Sequence, residues 1–277
     1  MTHVAHVMAC LDGSLSTEPV CDYAIWASQR LDVPLDFLHI VDRTDAPPSA
    51  PRTNADLGVP PPVADEQRIA EERGRAALEA ARARAAALGI SAPGVIQRHG
   101  EVLDVLLELE GDIRLLVMGR HGVIGDASGE RLGAHVGDVV RVLHRPVLVV
   151  AGAYRVPQRI LIAFDDTPTT RKVVETVAAS HLFRGLPCHV VMVGAKSAEA
   201  ASQFDWARRI LATAGYEVNG AILAGDPVPV LSAYCVQHAI DLVVMGAYTH
   251  TRLREYLVGS TTEQLMRQSQ VPMVLLR

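Results

Sequence analysis

Aromatic residues are scarce, 4% of the 277-residue chain with only two Trp and four Phe, which argues against a platform of stacked rings for nucleic-acid bases. Positive charge is equally thin. The 26 Lys and Arg stand against 31 Asp and Glu for a net charge of −5, without the basic footprint of a DNA or RNA binder. Apolar runs such as PVLVVAGA fall far short of the ~20 residues that cross a bilayer, so no membrane span is expected. Cys10, Cys21, Cys188 and Cys235 are scattered without CxxC or His-pairing intervals, which speaks against a disulfide framework and a zinc site. GxxxxGK[ST], GxGxxG and GxSxG are all missing, removing the main support for motor-type ATPases, ordinary NAD enzymes and serine hydrolases. The opening MTHVAHVMACLDGS has no basic leader, and a reducing cytoplasmic location is expected.

What the chain does have is a second copy of itself. At 49% hydrophobic and 21% charged it has the composition of a folded protein, and its length suits two small domains at ~100–200 residues each. HVMACLDGS returns as RILIAFDDT, aligning Asp12 with Asp165 at an offset of 153. DFLHIVD returns as HVVMVGA, which pairs Val41 with Val193. RHGEVLDVLLELEGDIRLLVMG matches LAGDPVPVLSAYCVQHAIDLVVMG, pairing Gly119 with Gly246 at an offset of 127, and RPVLVV matches VPMVLL. The fall in offset means about 26 extra residues in the first copy, placed mainly in the Pro-rich stretch Thr44 to Pro62. Six prolines there cannot sustain a helix and read as an extended surface loop. The expected domains are 1–153 and 154–277.

Within each copy, Val/Ile/Leu runs alternate with helical stretches, the pattern of a parallel sheet covered on both faces. The expected fold class is α/β, two similar doubly wound domains, each a mainly parallel five-stranded sheet flanked by helices.

In such sheets ligands lie beyond the carboxyl ends of the strands, where the strand order reverses. Asp12 and Asp165 sit at ends of that kind, and so do the two glycine segments. In LVVMGAYTHTRLREYLVGSTTEQLM, Gly246 and Gly259 permit close backbone approach, while Ser260, Thr261 and the first amides of a helix offer donors to an anion. The same Gly-Ser-Thr also reads as an ordinary helix cap, and Asp165 as a cap for a helix beginning near Thr169. His121 and His135 flank the first glycine loop without a carboxylate or Cys at ligand spacing, so no metal site is expected.

On these motifs the chain resembles the universal stress protein family in its tandem form, over nearly its whole length. Members that bind ATP carry glycine, two residues, glycine, nine residues, then glycine with Ser or Thr. Gly246, Thr249, Gly259 and Ser260 keep both intervals, with Thr249 in place of the second glycine. The resemblance implies a fold similar to the adenine nucleotide alpha-hydrolases, with ATP or AMP as ligand and magnesium accompanying a triphosphate, Asp166 being a candidate outer ligand. It places Asp165 on adenine or ribose, Ala163 and Val193 beside the base, and Met245 in the pocket lining. Gly246, Tyr248, Thr249, Gly259, Ser260, Thr261 and Thr262 match the phosphate and ribose positions. The resemblance also implies pairing of domains through terminal strands, so the apolar runs RPVLVV and VPMVLL are expected to meet across an internal pseudo-twofold and hide each other's edges.

In the first copy Asp12, Val41, Met118, Gly119, Gly122 and Gly133 match, but ten residues precede Gly133 and Ala134 replaces the hydroxyl residue. The loop there carries Asp126, Glu130 and Arg131, where the second copy has Arg252, Arg254 and Glu255. The second copy is therefore the expected nucleotide site. The expected role is a cytoplasmic stress or regulatory protein that meets an unidentified protein partner and pairs into a homodimer. No activated nucleophile and base form a matched set, so no catalytic residue is assigned, and slow ATP hydrolysis stays open. The alternative is a nucleotide-free adaptor whose fused halves form a pseudo-dimer scaffold. A small-molecule enzyme of a related adenine-binding superfamily would need a reactive group beyond the cradle.

Overall fold

The computed structural model describes residues 4–14, 17–41, 63–121, 132–133, 135–247 and 261–277, with 63–67 described by their backbone alone. The Thr44–Pro62 stretch lies outside the described residues. The first copy supplies β1 (His6–Leu11), α1 (Thr17–Leu31), β2 (Leu35–Val41), α2 (Val63–Ala87), β3 (Gly94–His99), α3 (Val102–Glu108), β4 (Ile113–Gly119), α4 (Val136–Val142) and β5 (Val147–Val150). The second supplies β6 (Ile160–Phe164), α5 (Pro168–Ala179), β7 (Cys188–Val193), α6 (Ala198–Thr213), β8 (Val218–Leu223), α7 (Pro227–Gln237), β9 (Leu242–Gly246), α8 (Thr261–Gln268) and β10 (Met273–Leu276).

Helix starts follow local chemistry. Thr167 accepts from the Thr170 amide with Pro168 in the first turn, and Asp226 accepts from the Val228 amide ahead of Pro227. Both satisfy amides that a helix leaves unpaired, and proline lacks the amide it would otherwise strand. The inner strands are buried on both faces. Val7, Ala9 and Leu11 of β1 enter one core while Met8 enters the other, as the two-residue period of a strand dictates.

The two five-stranded sheets are one. The strand order is β3-β2-β1-β4-β5-β10-β9-β6-β7-β8, parallel throughout except at the antiparallel β5–β10 seam. At the seam Leu148 faces Val274, Val149 faces Met273 and Val147 faces Leu275. Leu148 and Val274 are equivalent positions of the two repeats, so the register itself is centred on a local twofold. The expected meeting of RPVLVV and VPMVLL is thus a ladder of main-chain bonds. It leaves β3 and β8 as the outer edges.

Side-chain cores also run across the seam. One contains Tyr23, Phe37 and Leu148 with Phe164, Val174 and Val274. Tyr23 donates its hydroxyl to the Arg155 carbonyl at 3.1 Å and meets Tyr154 edge-on at 4.8 Å between ring centres. Arg30 of α1 reaches the Leu182 carbonyl at 2.6 Å.

Helices α2 and α6 correspond at an offset of 126. Ile90 donates its amide to the Ala85 carbonyl as Tyr216 does to Leu211, and the buried rows Leu78, Ala81, Ala85 and Phe204, Ala207, Leu211 coincide. In that frame residue 198 corresponds to 72, so α2 begins nine residues before α6. Part of the extra length of the first copy is therefore helix, and it overhangs the carboxyl ends of the strands. Gln97 of β3 donates to the Glu71 carbonyl of this extension.

At the opposite end of the sheet His189 is buried, with Nδ1 at 2.9 Å from the Tyr234 hydroxyl, and Tyr234 stacks on His238 at 4.0 Å. Burial holds the His189 imidazole below its usual pKa; His238 and Arg159 push the same way and Glu217 opposes them. The unfolded chain titrates near the ordinary value of about 6.5. The stability from neutral His189 is therefore complete above that pH and is lost as pH falls from there through the folded-state pKa. Denaturant melts at stepped pH should show a flatter decline below pH ~6.5 in His189→Asn than in the parent; equal slopes would exclude His189 as a source of acid sensitivity.

Candidate functional site

Each half reads 3-2-1-4-5 in strand order, so the chain direction reverses between β1 and β4 and again between β6 and β9. A crevice opens at the carboxyl ends of such a strand pair because the following segments depart to opposite sides. Asp12 and Gly119 form the lips of the first crevice, and Asp165 and Gly246 those of the second.

In the second copy Asp165 is exposed at the end of β6. Its Oδ1 accepts from the Thr167 amide at 3.2 Å, the Thr167 hydroxyl at 2.7 Å and the Thr170 hydroxyl at 2.8 Å. One carboxylate oxygen thus organises the turn into α5, as the capping alternative expects. Among the described residues, Oδ2 accepts no hydrogen bond. The next residue, Asp166, has φ +62°, a left-handed conformation costly for a residue with a Cβ. Arg171 donates to Asp166 Oδ1 at 2.7 Å, and its guanidinium lies 4.5 Å from the Trp206 ring, which in turn stacks on Phe164. Arg171 thus pairs through one carboxylate oxygen with Asp166, the candidate outer magnesium ligand.

Ala163, Val193 and Met245 share one apolar face with Leu265 and Met266 of α8. Gly246 is buried at the end of β9, Thr261 is exposed and Thr262 is buried in the first turn of α8. Ala163, Asp165, Val193, Met245, Gly246, Thr261 and Thr262 are thus gathered around one crevice. Tyr248, Thr249, Gly259 and Ser260 lie outside the described residues. A groove of about 420 Å³ opens farther out, between α6 and the β8 edge, lined by Ser197, Phe204 and Leu223 among others.

The first crevice differs at its acid end in three ways. Among the described residues, the Asp12 side chain accepts only from the Ser14 amide, at Oδ1 and 2.9 Å. Thr17, the counterpart of Thr170, keeps a buried hydroxyl without a partner among the described residues. Gly13, at φ +75°, has Arg73 of α2 so close that a Cβ would stand 3.2 Å from its Cγ. At the glycine end, the Gly133 amide donates to the Arg120 carbonyl at 2.8 Å, so this main-chain donor is already satisfied within the protein. Gly122 lies outside the described residues; Met118 and Val41 are buried.

The ladder corrects one pairing. Leu11 sits opposite His39 and Phe164 opposite Met192, so Val193 corresponds to Ile40 and not to Val41. The core agrees, because Ile40 and Val193 face the same side. Val41 and Val193 are both valines at a strand end, and with a period of two a single-residue slip reverses the face. Sequence reasoning also missed Arg73 and Arg120. Counterparts Glu199 and Ala247 occupy those places, so repeat comparison flags a difference in residue type without showing a contact.

Among the described residues, no three His, Cys, Asp or Glu side chains gather in a way that could hold a metal ion, and no helix is long and apolar enough to cross a membrane.

Paired doubly wound α/β units with an acid and a glycine across each switch point define a class of tandem α/β fold. The chain belongs to the universal stress protein family, which matches residues 3–151 and again 157–277. It is similar to the universal stress protein Slr1230 of Synechocystis, at 26% identity over 98% of this chain and 99% of that one. In fold it is similar to a universal stress protein from Archaeoglobus fulgidus, with a TM-score of 0.75, 17% identity and 98% of both chains covered. A Pseudomonas aeruginosa protein described as functionally unknown, PA1789, shares the fold at a TM-score of 0.67 and 14% identity, covering 99% of this chain and 92% of that one.

Proposed function

We propose that this chain binds one adenine nucleotide, ATP or AMP, in the crevice of its second copy, residues 154–277, and that occupancy regulates contact with a protein partner in a cytoplasmic stress response. The observation that carries the reading is the second switch point. There Asp165 offers a carboxylate oxygen that none of the described residues engages, across the strand ends from Gly246 and the first turn of α8. The carboxylate suits a ribose hydroxyl or an adenine amine, and unpaired helix amides suit phosphate.

The first copy, residues 1–153, serves on this reading as a scaffold with a weakened site. Its Gly133 amide is internally bonded and Arg73 stands over the Asp12 turn. Pairing of chains into a homodimer belongs to the same proposal, as does magnesium brought in with ATP.

Titration calorimetry with ATP, ADP and AMP tests it. One nucleotide bound per chain is expected. A chain that takes up none removes the reading, and two equivalent sites remove the distinction between the copies.

A further inference from the structure

Arg120 follows Gly119 at the end of β4, in the first copy, and is 9% exposed. Its main chain belongs to the first crevice: the amide donates to Val150 at 2.9 Å and the carbonyl accepts from Gly133 at 2.8 Å. Its side chain leaves that crevice and crosses the seam. Nη1 donates to the Arg267 carbonyl at 3.3 Å, approaches the Met266 carbonyl at 3.5 Å and bonds the Ser269 carbonyl. These carbonyls are at and just beyond the C-terminus of α8, which otherwise ends with the Ser269 amide on the Leu265 carbonyl. Nε is 3.0 Å from His121 Nε2.

The repeat does not reciprocate. The residue after Gly246 is Ala247, and the C-terminus of α4 is met instead by Arg277, which donates to the Val142 carbonyl at 2.9 Å from an exposed position. A buried guanidinium on helix-terminal carbonyls is a strong restraint, since withdrawing it strands several acceptors and a cation at a helix C-terminus complements the helix dipole. Helix α8 is only eight residues long, so holding one end fixes the other.

We infer that Arg120 is a positioning residue in the first copy that sets the placement of α8 in the second, making the phosphate end of the second crevice a composite of both repeats. This rests on the reading that the second crevice holds a nucleotide. The same residue ties the end of β4 in one repeat to the C-terminus of α8 in the other.

The experiment compares the full chain with Arg120→Met and Arg120→Lys, measuring ATP and adenosine affinity by calorimetry and α8 amide exchange by mass spectrometry. In Arg120→Met, ATP affinity should fall about five- to tenfold while adenosine affinity holds, and α8 exchange should accelerate. Arg120→Lys, which keeps the charge but not the planar fork, should fall between. Equal losses for ATP and adenosine would make the role merely structural and overturn the inference. So would unchanged exchange in a folded Arg120→Met protein. A parent chain that binds no nucleotide, with exchange still accelerated in Arg120→Met, would overturn the nucleotide reading and with it the positioning of phosphate, while identifying the seam contact as real.

Discussion

Leu148→Ala should destabilise the whole chain, both repeats together, by about 2–5 kcal/mol, the usual cost of removing a buried leucine side chain with incomplete collapse of the cavity. Leu148 is fully buried, faces Val274 across the β5–β10 seam and belongs to a core that includes residues from both copies. If the repeats were beads on a string, a substitution in β5 would weaken the first alone and calorimetry would show two transitions. A single ladder and shared cores predict one transition that moves as a whole. The comparison is Val95→Ala, at an exposed position of the outer strand β3, where a change of no more than about 0.5 kcal/mol is expected. A second, unshifted transition in Leu148→Ala would refute the cooperative unit.

The architecture was legible because its signals are periodic and written twice. Val/Ile/Leu runs in β1, β4, β6 and β9 must be covered on both faces, and the recurrence of Asp12 as Asp165 and Gly119 as Gly246 set the strand ends. The seam was anticipated from the family resemblance, and the apolar runs RPVLVV and VPMVLL, at equivalent places of the two copies, fit it because both leave an edge in need of a partner. What pattern reading missed depends on single-residue register or on reach. Val41 and Ile40 are interchangeable as hydrophobic letters, and only the β1–β2 ladder shows which one faces the crevice side. Arg120 and Arg73 carry long side chains from ordinary surface-like contexts, a glycine-flanked strand end and a charged helix. Nothing local distinguishes a guanidinium that crosses to another repeat from one that meets water. The Asp165 alternatives, helix cap or ligand group, were posed as rivals, yet a carboxylate has two oxygens. Here Oδ1 is used by Thr167 and Thr170 while Oδ2 has no bond among the described residues.

That division of labour makes Asp165 the sharpest test of the second crevice. Asp165→Ala removes a charged acceptor and should weaken ATP binding about ten- to a hundredfold, the range expected for hydrogen bonds to an ionised group. The same change removes the acceptor of three turn bonds and will cost stability, by about 0.5–2 kcal/mol if it behaves as the loss of a helix cap. The two effects separate in Asp165→Asn, whose amide oxygen can still accept from the threonines but presents a neutral donor where Oδ2 stood. Stability near the parent with ATP affinity still reduced tenfold assigns the loss to the ligand. Asp12→Ala is the mirror experiment: with the first crevice weakened, it should leave ATP affinity within about twofold, since altering a group that makes no contact with ligand changes binding little. Binding that survives Asp165→Ala and Asp165→Asn but fails in Asp12→Ala would move the nucleotide to the first repeat, where Arg73 would then lie beside it.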